Sequence, residues 1–136
     1  MPHPELTLTG TNIGAPDANA LADFYRRLLG WTTGAEEPGW VVLRPPGGGH
    51  ILNFQTEERY VRPVWPGGPS GSGGPSGSGG SGGQQMMMHL EIRVDDLDAA
   101  VAHAVAQGAT LADFQPQDGV RVCLDPAGHP FCLFAG

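Results

Sequence analysis

Hydrophobic and polar positions along this chain follow one order of elements twice. Near the N-terminus, Leu6-Thr7-Leu8-Thr9 alternates apolar and polar residues, the two-residue period of a strand with one buried face. Apolar side chains then fall at 21, 24, 25, 28 and 29, which is one face of a helix, with Pro16-Asp17 as its start signal and Gly30 as its stop. Residues 40–44 predict a strand, the run Pro45-Pro46-Gly47-Gly48-Gly49 a turn, and residues 51–55 a returning strand.

The second half repeats this order. Residues 86–94 predict a strand, and Asp95 and Asp96 offer capping carboxylates. Leu97, Ala100, Val101, Ala104 and Val105 form a stripe with the spacing of the first helix, closed by Gly108. Residues 120–124 predict a strand, 125–128 a turn and 131–134 the closing strand. An extra strand before each hairpin, near Thr32-Thr33 and Thr110-Leu111, makes each copy βαβββ, and the internal duplication is the chief inference from pattern.

One helix covers one face of a four-stranded sheet and leaves the other for a partner or a ligand. The expected fold class is therefore α+β, two βαβββ modules joined as an eight-stranded curved mixed sheet with both helices outside. Alternation places Met88, Leu90, Ile92 and Val94 under a helix, together with Val41, Leu43, Val122, Leu124, Phe131 and Leu133. It turns Met87, His89, Glu91 and Arg93 toward the concave side. Trp40, Val42, Arg44, Asn53, Gln55, Arg121, Cys123, Cys132 and Phe134 are expected there too. That mixture suits a small-molecule site, and it equally suits a wet, unused sheet face.

Between the copies, residues 67–83 (GGPSGSGGPSGSGGSGG) hold only Gly, Ser and Pro. Nothing there can repay the entropy of ordering a backbone, so the run reads as a flexible tether. It would join a first module (1–66) to a second (84–136) within a single domain spanning 1–136. Its near-repeat fits an engineered linker and a low-complexity insertion alike. A tether of this length permits pairing within one chain and module exchange between chains, so monomer and homodimer both stand.

The formal charge of −7, from 14 acidic and 7 basic residues, comes without a basic cluster. That argues against nucleic acid and anionic membrane as partners. With no apolar run long enough to span a bilayer and no leader-like N-terminus, the expected location is the cytoplasm. Two cysteines are too few for a secreted disulfide framework, and the reduced state is expected for Cys123 and Cys132.

The segment HLEIRVDDLDAAVAHAVAQGATL (89–111), followed by RVCLDPAGHPFCLF (121–134), resembles the second module of the vicinal oxygen chelate superfamily. That group includes glyoxalase I, extradiol dioxygenases and bleomycin-resistance proteins. ALADFYRRLLGW (20–31) resembles its first-module signature, a helix ending in FYxxxLG. The resemblance spans nearly everything but the tether and is similar in kind to short bacterial glyoxalase-like proteins.

In metal-dependent members, the resemblance implies four ligands, one from the first and one from the last strand of each module, His or Gln and then Glu. Here those positions hold Gly10 or Thr11, Asn53, His89 and Cys132. Divalent ions of the Mg, Mn, Ni or Fe type want several carboxylate and imidazole donors, and zinc wants three or four good ligands. No metal or other cofactor is expected, and glyoxalase I or dioxygenase chemistry by the usual mechanism falls with it.

The leading expectation is a metal-free member that binds a small, largely apolar organic molecule. Its binding residues would be Trp40, Asn53, Trp65, Met87 and His89 with Glu91, Arg93, Arg121 and Cys132. One alternative is a lyase or isomerase of unassigned reaction, with His89 as base or with a non-standard metal site. Another is an engineered or degenerate scaffold. Each residue also has a plain structural reading: His89 as a hydrogen-bonded strand histidine, the cysteines as small buried hydrophobes, Trp40 and Trp65 as core. Glu91, Arg93 and Arg121 are expected to form an ion-pair network.

Overall fold

The computed structural model describes residues 3–65 and 84–136, so the Gly/Ser/Pro run at 67–83 lies outside the described residues. The chain divides into two compact units between Glu58 and Arg59. Residues 59–65, counted with the first half in the sequence, thus belong with the second.

The first unit runs β1 (Gly10–Ala15), α1 (Ala18–Leu29), β2 (Thr32–Glu37), β3 (Trp40–Arg44) and β4 (Ile51–Thr56), the expected βαβββ order. Asp17 caps α1 by accepting the Ala20 N–H at 3.1 Å. Gly30, at φ 72°, ends the helix in the left-handed conformation that glycine adopts without strain. Arg26 and Arg27 sit in the last turn, where the helix dipole favours cations. Both pair with Asp23, and the Arg26 hydrogen bond chiefly holds that carboxyl below the ordinary value.

The strand order is β1-β4-β3-β2, with β1 and β4 parallel and the other pairs antiparallel. Leu43 pairs with Leu52 and Val41 with Phe54, so these four share a face. Helix α1 packs on that face, where Tyr25 stacks on Phe54 at 5.6 Å between ring centroids. Trp40, Val42, Asn53 and Gln55 alternate onto the opposite face, as expected.

The alternating stretch at 6–9 is not a strand. Leu6 and Leu8 are 79% and 80% exposed, and β1 begins at Gly10. The reason is the partner. Gly10 pairs with Ile51, the first residue of β4, and before it the chain turns away through Pro45–Gly49. A last rung, Ile51 N–H to the Thr9 carbonyl at 3.0 Å, closes the ladder.

The second unit holds a short parallel pair, β5 (Pro63–Val64) with β6 (Gln84–Gln85). It continues with β7 (Leu90–Val94), α2 (Leu97–Gln107), β8 (Thr110–Leu111), β9 (Val120–Leu124) and β10 (Pro130–Ala135), again βαβββ. The sheet order β7-β10-β9-β8 repeats that of the first unit, with the first and last strands again parallel. Asp96 caps α2 through the Ala99 N–H at 3.1 Å. Tyr60 ties the incoming segment to this unit by donating its hydroxyl to the Ala127 carbonyl at 2.8 Å.

Two expectations for this unit are corrected. The strand expected at 86–94 starts only at Leu90, and Met87 and Met88 are 82% and 83% exposed, so Met88 is not core. By the internal duplication, Pro130 stands where Ile51 stands in the first unit. It has no N–H with which to extend the ladder past Leu90.

The second correction concerns β9. Its register pairs Cys123 with Phe131 and Arg121 with Leu133, while Val122 pairs with Cys132 and Leu124 with Pro130. Cys123 and Arg121 therefore share the face of the buried Phe131 and Leu133, and Val122 and Leu124 take the opposite face. This is the reverse of the expected phase. The 125–129 turn sets it. Asp125, 2% exposed, accepts the N–H groups of Ala127 and His129, each at 2.9 Å, and its own N–H bonds the His129 carbonyl. A turn one residue longer or shorter would flip every side chain of β9.

Candidate functional site

Chemistry gathers on the face of the second sheet that carries Cys132. Strand β7 supplies Glu91, which pairs across the ladder with Cys132, and Val122 of β9 pairs with Cys132 from the other side. His89 stands two residues before Glu91. Trp65, directly after β5, packs with Val120 against a buried cluster of Ala112, Val122 and Cys132. Its indole stacks on the His89 imidazole, ring centroids 5.1 Å apart and planes at 21°.

His89 is held at both ring nitrogens. Its Nε2 lies 2.5 Å from Glu91 Oε2, and its Nδ1 lies 3.4 Å from Met86 Sδ. The Glu91 carboxylate also takes the hydrogen bond of the Cys132 thiol. Burial first, and then the charge and hydrogen bond of Glu91, push that thiol up to about 11. Burial alone pushes Cys123 to about 11 as well. Both groups are therefore thiols rather than thiolates near neutral pH, which disfavours a nucleophilic role for either alone. Cys123 and Cys132 point to opposite faces of the sheet, so the cross-strand disulfide that two inward-facing cysteines would allow has no geometry here.

Gln115 was not legible as a site residue, because it lies in an aperiodic stretch between β8 and β9. Its amide donates to the carbonyls of Ala112 and Val122 and accepts the Val122 N–H at 2.7 Å. That clamp fixes Ala112 and Val122 beneath Trp65.

Of the residues expected to bind, Trp65, His89, Glu91 and Cys132 are brought together. Arg93 alternates onto the same face, next to Phe134 in register, and is exposed. Met87 is exposed outside β7. Arg121 shares the opposite face with Leu133 and donates to the carbonyls of Asp118 and Val120, at 2.7 and 3.0 Å. The expected Glu91–Arg93–Arg121 network is thus replaced by Glu91 with His89 and Cys132. Trp40 and Asn53 belong to the first unit. There Asn53 donates to Asn12 Oδ1 at 2.7 Å, and its own Oδ1 is buried without a partner among the described residues.

The four positions that the superfamily uses for its divalent ion do not suit a hard ion. By the duplication, Gly10 precedes the Thr11–Leu52 pair as His89 precedes Leu90–Phe131, so Gly10 is the counterpart of His89. A Cβ there would lie 2.6 Å from Ile51 Cγ1, so the space a ligand side chain would need is filled. Asn53 is an amide engaged with another amide. One imidazole and one thiol remain from that set, too few for an ion of the Mg, Mn or Ni type.

A protein-family model described as a glyoxalase-like domain matches residues 10–134. The anthracycline biosynthesis protein DnrV of Streptomyces peucetius is 26% identical over 140 residues, covering 90% of this chain and 44% of that protein. The chain therefore spans less than half the length of this relative. Among solved structures, a glyoxalase/bleomycin resistance protein/dioxygenase family enzyme from Burkholderia phytofirmans PsJN superposes with a TM-score of 0.68 at 22% identity, covering 96% of this chain and 98% of that one. TnmS3, an antibiotic binding protein from Streptomyces sp. CB03234, gives 0.61 at 20% identity, covering 98% of each chain. Likeness at these identities carries the fold. No helix among the described residues is long and apolar enough to cross a membrane.

Proposed function

This chain belongs to the glyoxalase-like domain family, and from that membership we propose that it binds a small, largely apolar organic molecule on the Cys132 face of its second sheet. The reading does not call on the hard divalent ion of the superfamily's metal-dependent members. The observation that carries it is the half-buried Trp65–His89 stack standing on Ala112, Val120, Val122 and Cys132. A flat aromatic pair over an apolar floor, with one carboxylate at its edge, is the composition of a site for a planar, weakly polar ligand. The descriptions of DnrV and TnmS3 support the same direction, one tied to anthracycline biosynthesis and the other to antibiotic binding. A reducing compartment such as the cytoplasm suits the two free cysteines.

The test is a titration with a panel of polycyclic aromatic compounds, an anthracycline included, followed by thermal shift and tryptophan fluorescence. A compound at a hundred times its dissociation constant adds about 2.7 kcal/mol to stability. Trp65→Ala is expected to weaken binding about tenfold or more, the equivalent of about 1.4 kcal/mol. Stabilisation by no member of the panel, or binding that Trp65→Ala leaves intact, overturns the reading.

A further inference from the structure

His89, Glu91 and Cys132 form, among the described residues, the one group of three potential metal ligands, with their donor atoms all within 4.8 Å of one another. The grouping follows from the fold. Glu91 and Cys132 are ladder partners in the parallel β7–β10 pair, and His89 lies two residues upstream of Glu91, near the start of the same strand. Imidazole nitrogen and thiolate sulfur are the donors of borderline and soft ions, and a carboxylate oxygen completes sets that hold zinc. We propose that these three side chains form a site for a zinc-class divalent ion, contained within the second unit and built on a donor set of this chain's own.

This goes beyond the ligand-binding reading: the ion would share His89, Glu91 and Cys132 with that face, but neither reading requires the other. The site also differs from the superfamily's implied set, which draws on both modules and lacks a counterpart of Glu91. Charge favours it. A dication held by one thiolate, one carboxylate and one neutral imidazole is neutral overall, which suits a half-buried position under Trp65. Without the ion, the Glu91 carboxylate takes hydrogen bonds from both neighbours, so a proton stands where the cation would bind. Binding forms bonds to sulfur, oxygen and nitrogen and releases the Cys132 proton to solvent. Zinc–sulfur bonds of about 2.3 Å and zinc–nitrogen or –oxygen bonds of about 2.0–2.2 Å place tetrahedral donors somewhat closer together than 4.8 Å, a contraction within the reach of side-chain rotation. Three protein donors leave a fourth position open, the pattern of zinc sites that admit water or a ligand.

Cobalt(II) titration of chelator-treated, reduced full-length protein, with no organic ligand present, tests this apart from the proposed function. The expected result is one equivalent bound, with a thiolate-to-cobalt charge-transfer band and four-coordinate visible bands. Zinc should displace the cobalt and magnesium should not. About one proton should be released per ion in weakly buffered solution near neutral pH. Cys132→Ser should lose the charge-transfer band, and Glu91→Gln and His89→Gln should each weaken binding tenfold or more. Cys123→Ala, on the opposite sheet face, should bind as the wild type does. Because Glu91 is exposed, Glu91→Gln keeps the test sound if Cys132→Ser fails to fold. The absence of a thiolate band at excess cobalt overturns the site, and so does affinity unchanged in Glu91→Gln.

Discussion

Cys123 is fully buried, and its thiol is held at about 11 against an ordinary 9.0 by burial alone. A raised folded-state value means that the folded protein holds this proton more tightly than the unfolded chain. The stabilisation is therefore complete below pH 9 and lost as pH climbs through 11. That rise is worth between 2 and 3 kcal/mol in full, with about 1 kcal/mol gone by pH 10 and about 2 kcal/mol by pH 11. All seven basic residues are arginine, so no lysine titrates across this window, and Cys132, raised to about 11 as well, titrates in both proteins and cancels in their comparison. Cys123→Ala removes the titration and leaves a small void, at a pH-independent cost of roughly 1 kcal/mol. Urea unfolding at pH 8, 9, 10 and 11, followed by circular dichroism under reducing conditions, should show the wild type ahead at pH 8 and level or behind by pH 11. A gap between the two proteins that stays constant from pH 8 to 11 would refute the argument.

Asp125→Ala strips the acceptor from the Ala127 and His129 N–H groups and should cost about 3 kcal/mol in urea unfolding, with Asp125→Asn milder because one acceptor oxygen survives. Asp125 is also a secondary cause, after burial, of the rise of the Tyr60 phenol to about 12, so in Asp125→Asn the tyrosinate absorbance should appear at lower pH. Gly128→Ala should destabilise by about 1 kcal/mol or more in thermal melts, because φ is 95° and the Arg62 side chain occupies the Cβ position. Asp96→Ala removes the Ala99 cap and should cost about 1 kcal/mol, visible as a lower urea midpoint with an unchanged slope.

Local chemistry decided much of this protein in advance. Helix α1 sits where Pro16-Asp17 and Gly30 bracket an apolar stripe, and α2 where Asp96 and Gly108 do, because caps act on their own backbone and need nothing distant. Strands β3 and β9 fall at 40–44 and 120–124 as expected, and the repetition of βαβββ was legible because it is a pattern of order. Alternation misled wherever pairing was the deciding term. Residues 6–9 and 86–88 alternate or are apolar, yet they have no ladder to join, one stretch lying beyond the start of β4 and the other facing Pro130.

The site shows the same division. Sequence alone named Trp65, His89, Glu91 and Cys132 as candidates, since residue type and period-two alternation are local properties. It could not bring Glu91 to Cys132, because that meeting depends on the register of two strands some forty residues apart. It also set Arg121 and Cys123 on the wrong face, since the Asp125 turn fixes the phase of β9. Composition and spacing determined which elements exist and which residues carry chemistry. Strand register, a non-local property in which one residue of slip inverts every side chain, decided which of them meet.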